Sequence, residues 1–116
     1  MVSRVDKVRK ALIREVSDLL QTRLKDPRIS GIVSVTDVEL SADCRHAKVF
    51  VSILGEADDQ NNTMEALASS TGFIRTEIGK RISLRFTPEI KFMIDDSLER
   101  GVRVTKLLEK IARGEV

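Results

Sequence analysis

The sequence predicts a small α+β fold, a sheet with helices packed on one face. Three patterns carry that prediction: a long amphipathic stripe at the start, two Val- and Ile-rich runs separated by a short polar turn, and a helical stretch leading into a third strand. A hairpin followed by a helical crossover to another strand closes such a sheet. The 116 residues fit one domain. The expected division is a core over residues 1–95 and a C-terminal helix or tail over 96–116.

The first element is a helix. Val5, Val8, Leu12, Val16, Leu19, Leu20 and Leu24 recur at three- and four-residue spacing and form one apolar stripe. Ser3 followed by Asp6 gives a capping signal at its start, and Pro27 ends it by pushing Asp26 away from helical dihedrals. The run "ISGIVSVTDVEL" reads as a strand. Val33 and Val35 share one face and Val38 and Leu40 the other, and that change of parity predicts a bulge near Asp37. After the turn "SADCRH", the run "AKVFVSIL" alternates Ala47, Val49, Val51 and Ile53 inward and completes an antiparallel hairpin.

Helical signals resume at Asn62, a cap with Glu65 three residues on, and continue through Met64, Leu67 and Ala68. The pattern is interrupted at Gly72 and restarts with Ile74, Ile78 and Ile82. A third strand is expected over "LRFTPEIKFMI", with Leu84, Phe86, Ile90, Phe92 and Ile94 on one side. Pro88 cannot donate to a ladder, so this strand is an edge or is bulged there. Ser97 caps an expected last helix carrying Leu98, Val102, Leu107, Leu108 and Ile111; Gly101, Val102 and Val104 weaken its first turns.

Composition narrows the function. The chain carries 41 % hydrophobic and 33 % charged residues, a globular balance. No apolar run approaches a membrane span, and the start "MVSRVDKVRK" lacks a signal-peptide core. One cysteine, Cys44, cannot form an internal disulfide, which points to the cytoplasm. The net charge is only +2, so an anionic partner must be met by a local patch. Residues 1–28 hold eight bases against four acids, residues 55–69 only acids, and residues 70–91 five bases against two acids. With four Phe and no Trp or Tyr, RNA binding is expected through backbone and shape more than through base stacking.

Catalysis is hard to build from these residues. The lone His46 and Cys44 lie in a turn, and a Cys–His nucleophile needs an oriented third group beside the pair, which argues against one here. One Cys and one His fall short of a zinc set, and no phosphate loop or dinucleotide fingerprint is present, so no metal or cofactor is expected. Asp95 and Asp96 read as acids at the last helix's N-terminus.

The stretch "SSTGFIRTEIGKRISLRF" is the most informative. A helix N-terminus suits phosphate oxygens, Gly72 lets a backbone approach, and Ser70 and Thr71 add hydroxyls. Arg75 and Arg81 flank the Ile74–Ile78–Ile82 stripe, Lys80 lies further round, and Arg85 alternates outward from Leu84 and Phe86. Two readings of the residues stand level: an RNA backbone clamp, or a packing kink with snorkelling bases.

The run "DPRISGIVSVTDVELSADCRHAKVFVSILG", Asp26 to Gly55, closely resembles the hallmark segment of bacterial ribosome-binding factor A. "TGFIRTEIGKRISLRFTPEIKF" and "DDSLERGVRVTKLLEKI" resemble that family too, in the same order. The resemblance implies a type II KH-like domain of order α-β-β-α-(kink)-α-β plus a C-terminal helix, with a mixed three-stranded sheet. It implies binding to the free small (30S) ribosomal subunit and its 16S rRNA, and help in late maturation, including 5′-end processing. Growth in the cold, release by an assembly GTPase and the lack of catalytic activity are implied as well. The family's Ala-x-Gly kink matches Ser70, Thr71 and Gly72, so serine replaces alanine here. Arg45, His46 and Lys48, in "RHAKV", either extend the RNA surface or serve the fold. The leading phosphate contacts are therefore Arg75, Lys80, Arg81 and Arg85, with Arg4, Lys7 and Lys10 on the first helix secondary. The expected state is a monomer. The rival of a different class is a protein-interaction module or homodimer that uses the last helix and binds no RNA.

Overall fold

The computed structural model describes residues 3–24, 26–29 and 32–95. In chain order the elements are α1 (Arg4–Thr22), β1 (Ile32–Leu40), β2 (His46–Leu54), α2 (Ala57–Ser69), α3 (Thr71–Arg81) and β3 (Glu89–Ile94). The expected last helix lies outside the described residues.

α1 begins where the sequence places it. Ser3 is extended, and its Oγ accepts the Asp6 N–H at 3.1 Å, removing one orphan donor of the first turn. Val8, Leu12, Val16 and Leu19 form its buried stripe. The helix stops at Thr22, ahead of Pro27, as the Arg23 and Leu24 amides both turn back onto the Leu19 carbonyl. Asp26 then closes its own turn: its carboxylate accepts from the Arg28 backbone and guanidinium, and its carbonyl from the Ile29 N–H.

β1 and β2 pair antiparallel, with the register shifting between Val35 and Asp37. The expected bulge is therefore present, and it brings both halves of β1 onto the core. Val38 is fully buried, while Val33, Val35 and Leu40 pack partly against the same cluster. β2 is the central strand, and β3 joins its other side in parallel. A parallel neighbour needs a long crossover, which α2 and α3 supply. Ala47, Val49, Val51 and Ile53 face the helices, meeting Leu12, Leu19, Leu67, Ile74 and Ile78. Among the described residues, no element covers the opposite face of the sheet. There Ile32 and Leu54 pair across the hairpin at 64 % and 70 % exposure.

The starts of α2 and β3 differ from the sequence expectation, as does the end of α1, which stops short of Leu24. α2 starts at Ala57, five residues before Asn62, because Glu56 and Asp59 form a reciprocal capping box. β3 starts at Glu89 and not at Leu84. Pro88 has no N–H, so the first ladder donor is Glu89, which bonds the Arg45 carbonyl at 2.8 Å. Leu84 still packs against the core, whereas Phe86, outside the strand, and Ile94, at its end, are 48 % and 42 % exposed. Asp95 continues the ladder through its N–H to the Val51 carbonyl, and its carboxylate accepts from Thr36 Oγ1.

Candidate nucleic-acid interface

The helix break lies at Ser70, which has φ −96° and ψ 0° and separates α2 from α3. Its Oγ donates to the Ala66 carbonyl at 2.8 Å, and Thr71 Oγ1 donates to the Ala68 carbonyl at 3.1 Å. Both hydroxyls thus serve the frayed end of α2, where carbonyls lack helical partners. Gly72 lies inside α3, and a Cβ built there meets nothing within 4 Å. Gly72 is therefore not what permits a close helix crossing. The glycine of α3 with a close neighbour is Gly79, where a Cβ would sit 3.1 Å from Thr87 Oγ1 as α3 passes the segment leading to β3.

Three of the four leading cations are already engaged. Arg75 donates from Nε to the Pro88 carbonyl and from Nη2 to the Thr87 carbonyl, each at 3.1 Å. It tethers the segment whose proline cannot pair. Arg81 Nη1 contacts Asp18 and Glu15 on α1, and the Asp18 hydrogen bond leads in raising its pKa above the ordinary value. Lys80 is 70 % exposed and lies 3.6 Å from Glu77. Arg85 is exposed, with its guanidinium 5.6 Å from the Phe86 ring centre.

The hairpin residues divide between two surfaces. Lys48 points to the open face of the sheet, in register with Glu39 and Lys91. Arg45 lies over Phe86, 4.5 Å from the ring centre. His46 Nδ1 is 3.6 Å from Glu89 Oε2, with both side chains mostly exposed. On α1, Lys7 and Lys10 are exposed, and Arg4 reaches the same end of the molecule as Arg45.

That end is where the candidates converge. A cleft of about 360 Å³ is bounded by Arg4 on α1, Asp43 to Arg45 in the β1–β2 turn, and Leu84 to Phe86 before β3. A second, of about 260 Å³, lies between Arg45, His46, Arg75 and Phe86. Arg45 and Phe86 border both clefts. The turn holding Arg45 is tightly bonded: Asp43 Oδ1 accepts from Ser41 Oγ at 2.7 Å and from the Arg45 N–H at 3.0 Å. The Ser41 bond leads in holding the Asp43 carboxyl below its ordinary range. Cys44 completes the turn at φ 61°, a left-handed conformation that favours glycine or asparagine. The sequence reading missed Phe86, which it assigned to the core face of a strand, and Gly79. The available signal for Phe86 was Pro88, two residues on, which prevents pairing at that point.

Among the described residues, no group of three or more His, Cys, Asp or Glu is placed to hold a metal ion. No described helix is long and apolar enough to cross a membrane.

A mixed three-stranded sheet with α1 packed on it and a broken helix pair in the crossover defines a KH-like α+β protein. Comparison with known proteins supplies the family. The profile described as ribosome-binding factor A matches residues 4–108. A ribosome-binding factor A of Gloeobacter violaceus is 59 % identical over 104 residues, covering 88 % of this chain and 81 % of its own. One from Acetivibrio thermocellus is 46 % identical over 109 residues, covering 94 % and 89 %. The solution structure of a Thermotoga maritima protein assigned as a ribosome binding factor A superposes with a TM-score of 0.71 at 36 % identity, over 80 % of this chain and 88 % of that one. The Thermus thermophilus crystal structure, at 23 % identity and a TM-score of 0.69, shares the fold over 79 % of this chain and 97 % of its own. The chain belongs to the ribosome-binding factor A family.

Proposed function

We propose that the protein binds the free small ribosomal subunit through its rRNA and assists late maturation, including 5′-end processing of 16S rRNA, without catalysing a reaction. Family membership supports the partner: relatives at 46 % and 59 % identity carry the name ribosome-binding factor A. A Thermus thermophilus ribosome binding factor A has been fitted into a cryo-EM map of a 30S complex. The observation that carries the mode of binding is the convergence of Arg4, Arg45 and Arg85 on one cleft, in a chain whose net charge is only +2. The surface is stiff, because the turn fixes Arg45 and Arg75 ties down the segment that follows Arg85. Such a basic end holds one rRNA conformation while the rest of the subunit matures. On this reading the protein works as a cytoplasmic monomer, leaves the subunit with the help of an assembly GTPase, and supports growth in the cold.

Co-sedimentation with free small subunits, large subunits and whole ribosomes tests this function. Preferential recovery with free small subunits is expected. Equal recovery with all three, or a stable dimer lacking RNA affinity, contradicts it.

A further inference from the structure

We infer that the cleft between the start of α1, the β1–β2 turn and residues 84–86 receives one unpaired nucleotide of an RNA strand, its base stacked on the Phe86–Arg45 pair. The inference rests on the proposed RNA-binding function and names the substrate feature that this end of the molecule takes. It adds one stacked base to the expectation, drawn from low aromatic content, of binding through backbone and shape more than through base stacking.

The first argument is the exposure of Phe86. Most of the core is aliphatic, and Phe92 is buried within it, but Phe86 is 48 % exposed. Two guanidinium groups nonetheless lie within 6 Å of its centre, Arg45 at 4.5 Å and Arg85 at 5.6 Å. A flat cationic plane against an aromatic ring is the platform on which unpaired bases stack, whatever their sequence. Arginine suits this better than lysine, because its planar group can stack and donate hydrogen bonds together.

Shape and charge agree. The cleft of about 360 Å³ falls in the range of small-molecule sites, roughly 300 to 1,000 Å³. That is room for about one nucleotide. Arg4 and Arg85 border the same space and supply donors for the attached phosphate. Asp43 is the acid on this wall, and its Oδ1 is occupied by Ser41 and the Arg45 amide. An acidic peptide would satisfy the guanidinium groups but would not use the ring face, so the observations favour a nucleotide.

The absence of Trp and Tyr makes the test direct. In a Phe86→Trp variant the indole is the sole strong fluorophore and still offers a stacking face. The probes are a single-stranded hexaribonucleotide of alternating A and C, the same strand annealed to its complement, and a hexaglutamate peptide. Saturable quenching is expected with the single strand, and addition of Arg45→Ala should weaken that binding about ten-fold. Phe86→Leu, which keeps apolar bulk but no ring, should lose single-strand affinity by about the same factor in filter binding. No quenching by the single strand, equal quenching by the duplex or the peptide, or wild-type affinity in Phe86→Leu overturns the inference. Any of these results, with wild-type protein still sedimenting with free small subunits, removes the cleft assignment alone. Failure of wild-type protein to bind small subunits removes the functional proposal itself.

Discussion

Arg81 Nη1 lies 2.6 Å from Asp18 Oδ2 and 3.2 Å from Glu15 Oε2, so one guanidinium on α3 bridges two carboxylates of α1. The contact joins the two helices over the sheet, and it neutralises a charge that a count along the sequence assigns to RNA. Arg81→Ala should lower the thermal midpoint by a few degrees while leaving the salt dependence of subunit binding unchanged. Arg81→Glu should be worse folded still, because it places three carboxylates together. Thermal melts read alongside binding at two salt concentrations check both statements.

The two glycines of α3 should respond differently to the same change. Gly72→Ala adds a methyl group into open space within a helix and should stabilise the protein by about 0.5 kcal/mol. Gly79→Ala brings its methyl to 3.1 Å from Thr87 Oγ1 and should forfeit that gain. Chemical denaturation of the two variants beside the wild type gives the comparison.

Cys44 holds a left-handed backbone at φ 61° without being glycine. Cys44→Gly should therefore raise stability by about 0.5 to 1 kcal/mol, the relief of strain less the added freedom of the unfolded chain. Cys44→Val should lower it, because a β-branched side chain tolerates this conformation least. Denaturant midpoints for the pair decide the matter.

The Asp43 carboxyl has a pKa below its ordinary 3.8, chiefly through the Ser41 hydroxyl and then the Arg45 amide. A group whose pKa is depressed by folding stabilises the folded state above its unfolded pKa, and loses that contribution as pH falls through the folded value. Asp43→Ala should therefore be less stable than wild type at about pH 7. The gap should narrow below the ordinary value of 3.8 as the wild-type carboxyl protonates. Thermal midpoints of both proteins across that range measure it.

Much of this architecture is legible in the sequence, because it depends on local periodicity. The Val8–Leu12–Val16–Leu19 stripe, the parity change at Asp37 and the inward alternation of β2 each signal their own geometry. The start of β3 is less legible, since Leu84 and Phe86 continue the alternation of Ile90 and Phe92 while Pro88 silently removes the pairing. The start of α2 is hidden for a different reason: Glu56 with Asp59 caps a helix as well as the more familiar Asn62 would.

The interface is the least legible part, because charge in a sequence does not reveal its partner. Arg81 meets acids 63 and 66 positions away, and Arg75 meets carbonyls 12 and 13 positions away. Neither pairing has a local signature. Arg4, Arg45 and Arg85, by contrast, come from three separate parts of the chain and meet only because the fold brings α1, the hairpin turn and the 84–86 segment to one end.

The most direct test of this account is the affinity for free small subunits, measured across salt, of an Arg45→Glu/Arg85→Glu double variant beside Lys80→Glu and the wild type. The double variant should bind at least about ten-fold more weakly, with a salt slope reduced by two phosphate contacts, roughly 1.4 to 1.8, while Lys80→Glu stays near wild type. Wild-type affinity and slope in the double variant, or a loss confined to Lys80→Glu, would contradict it.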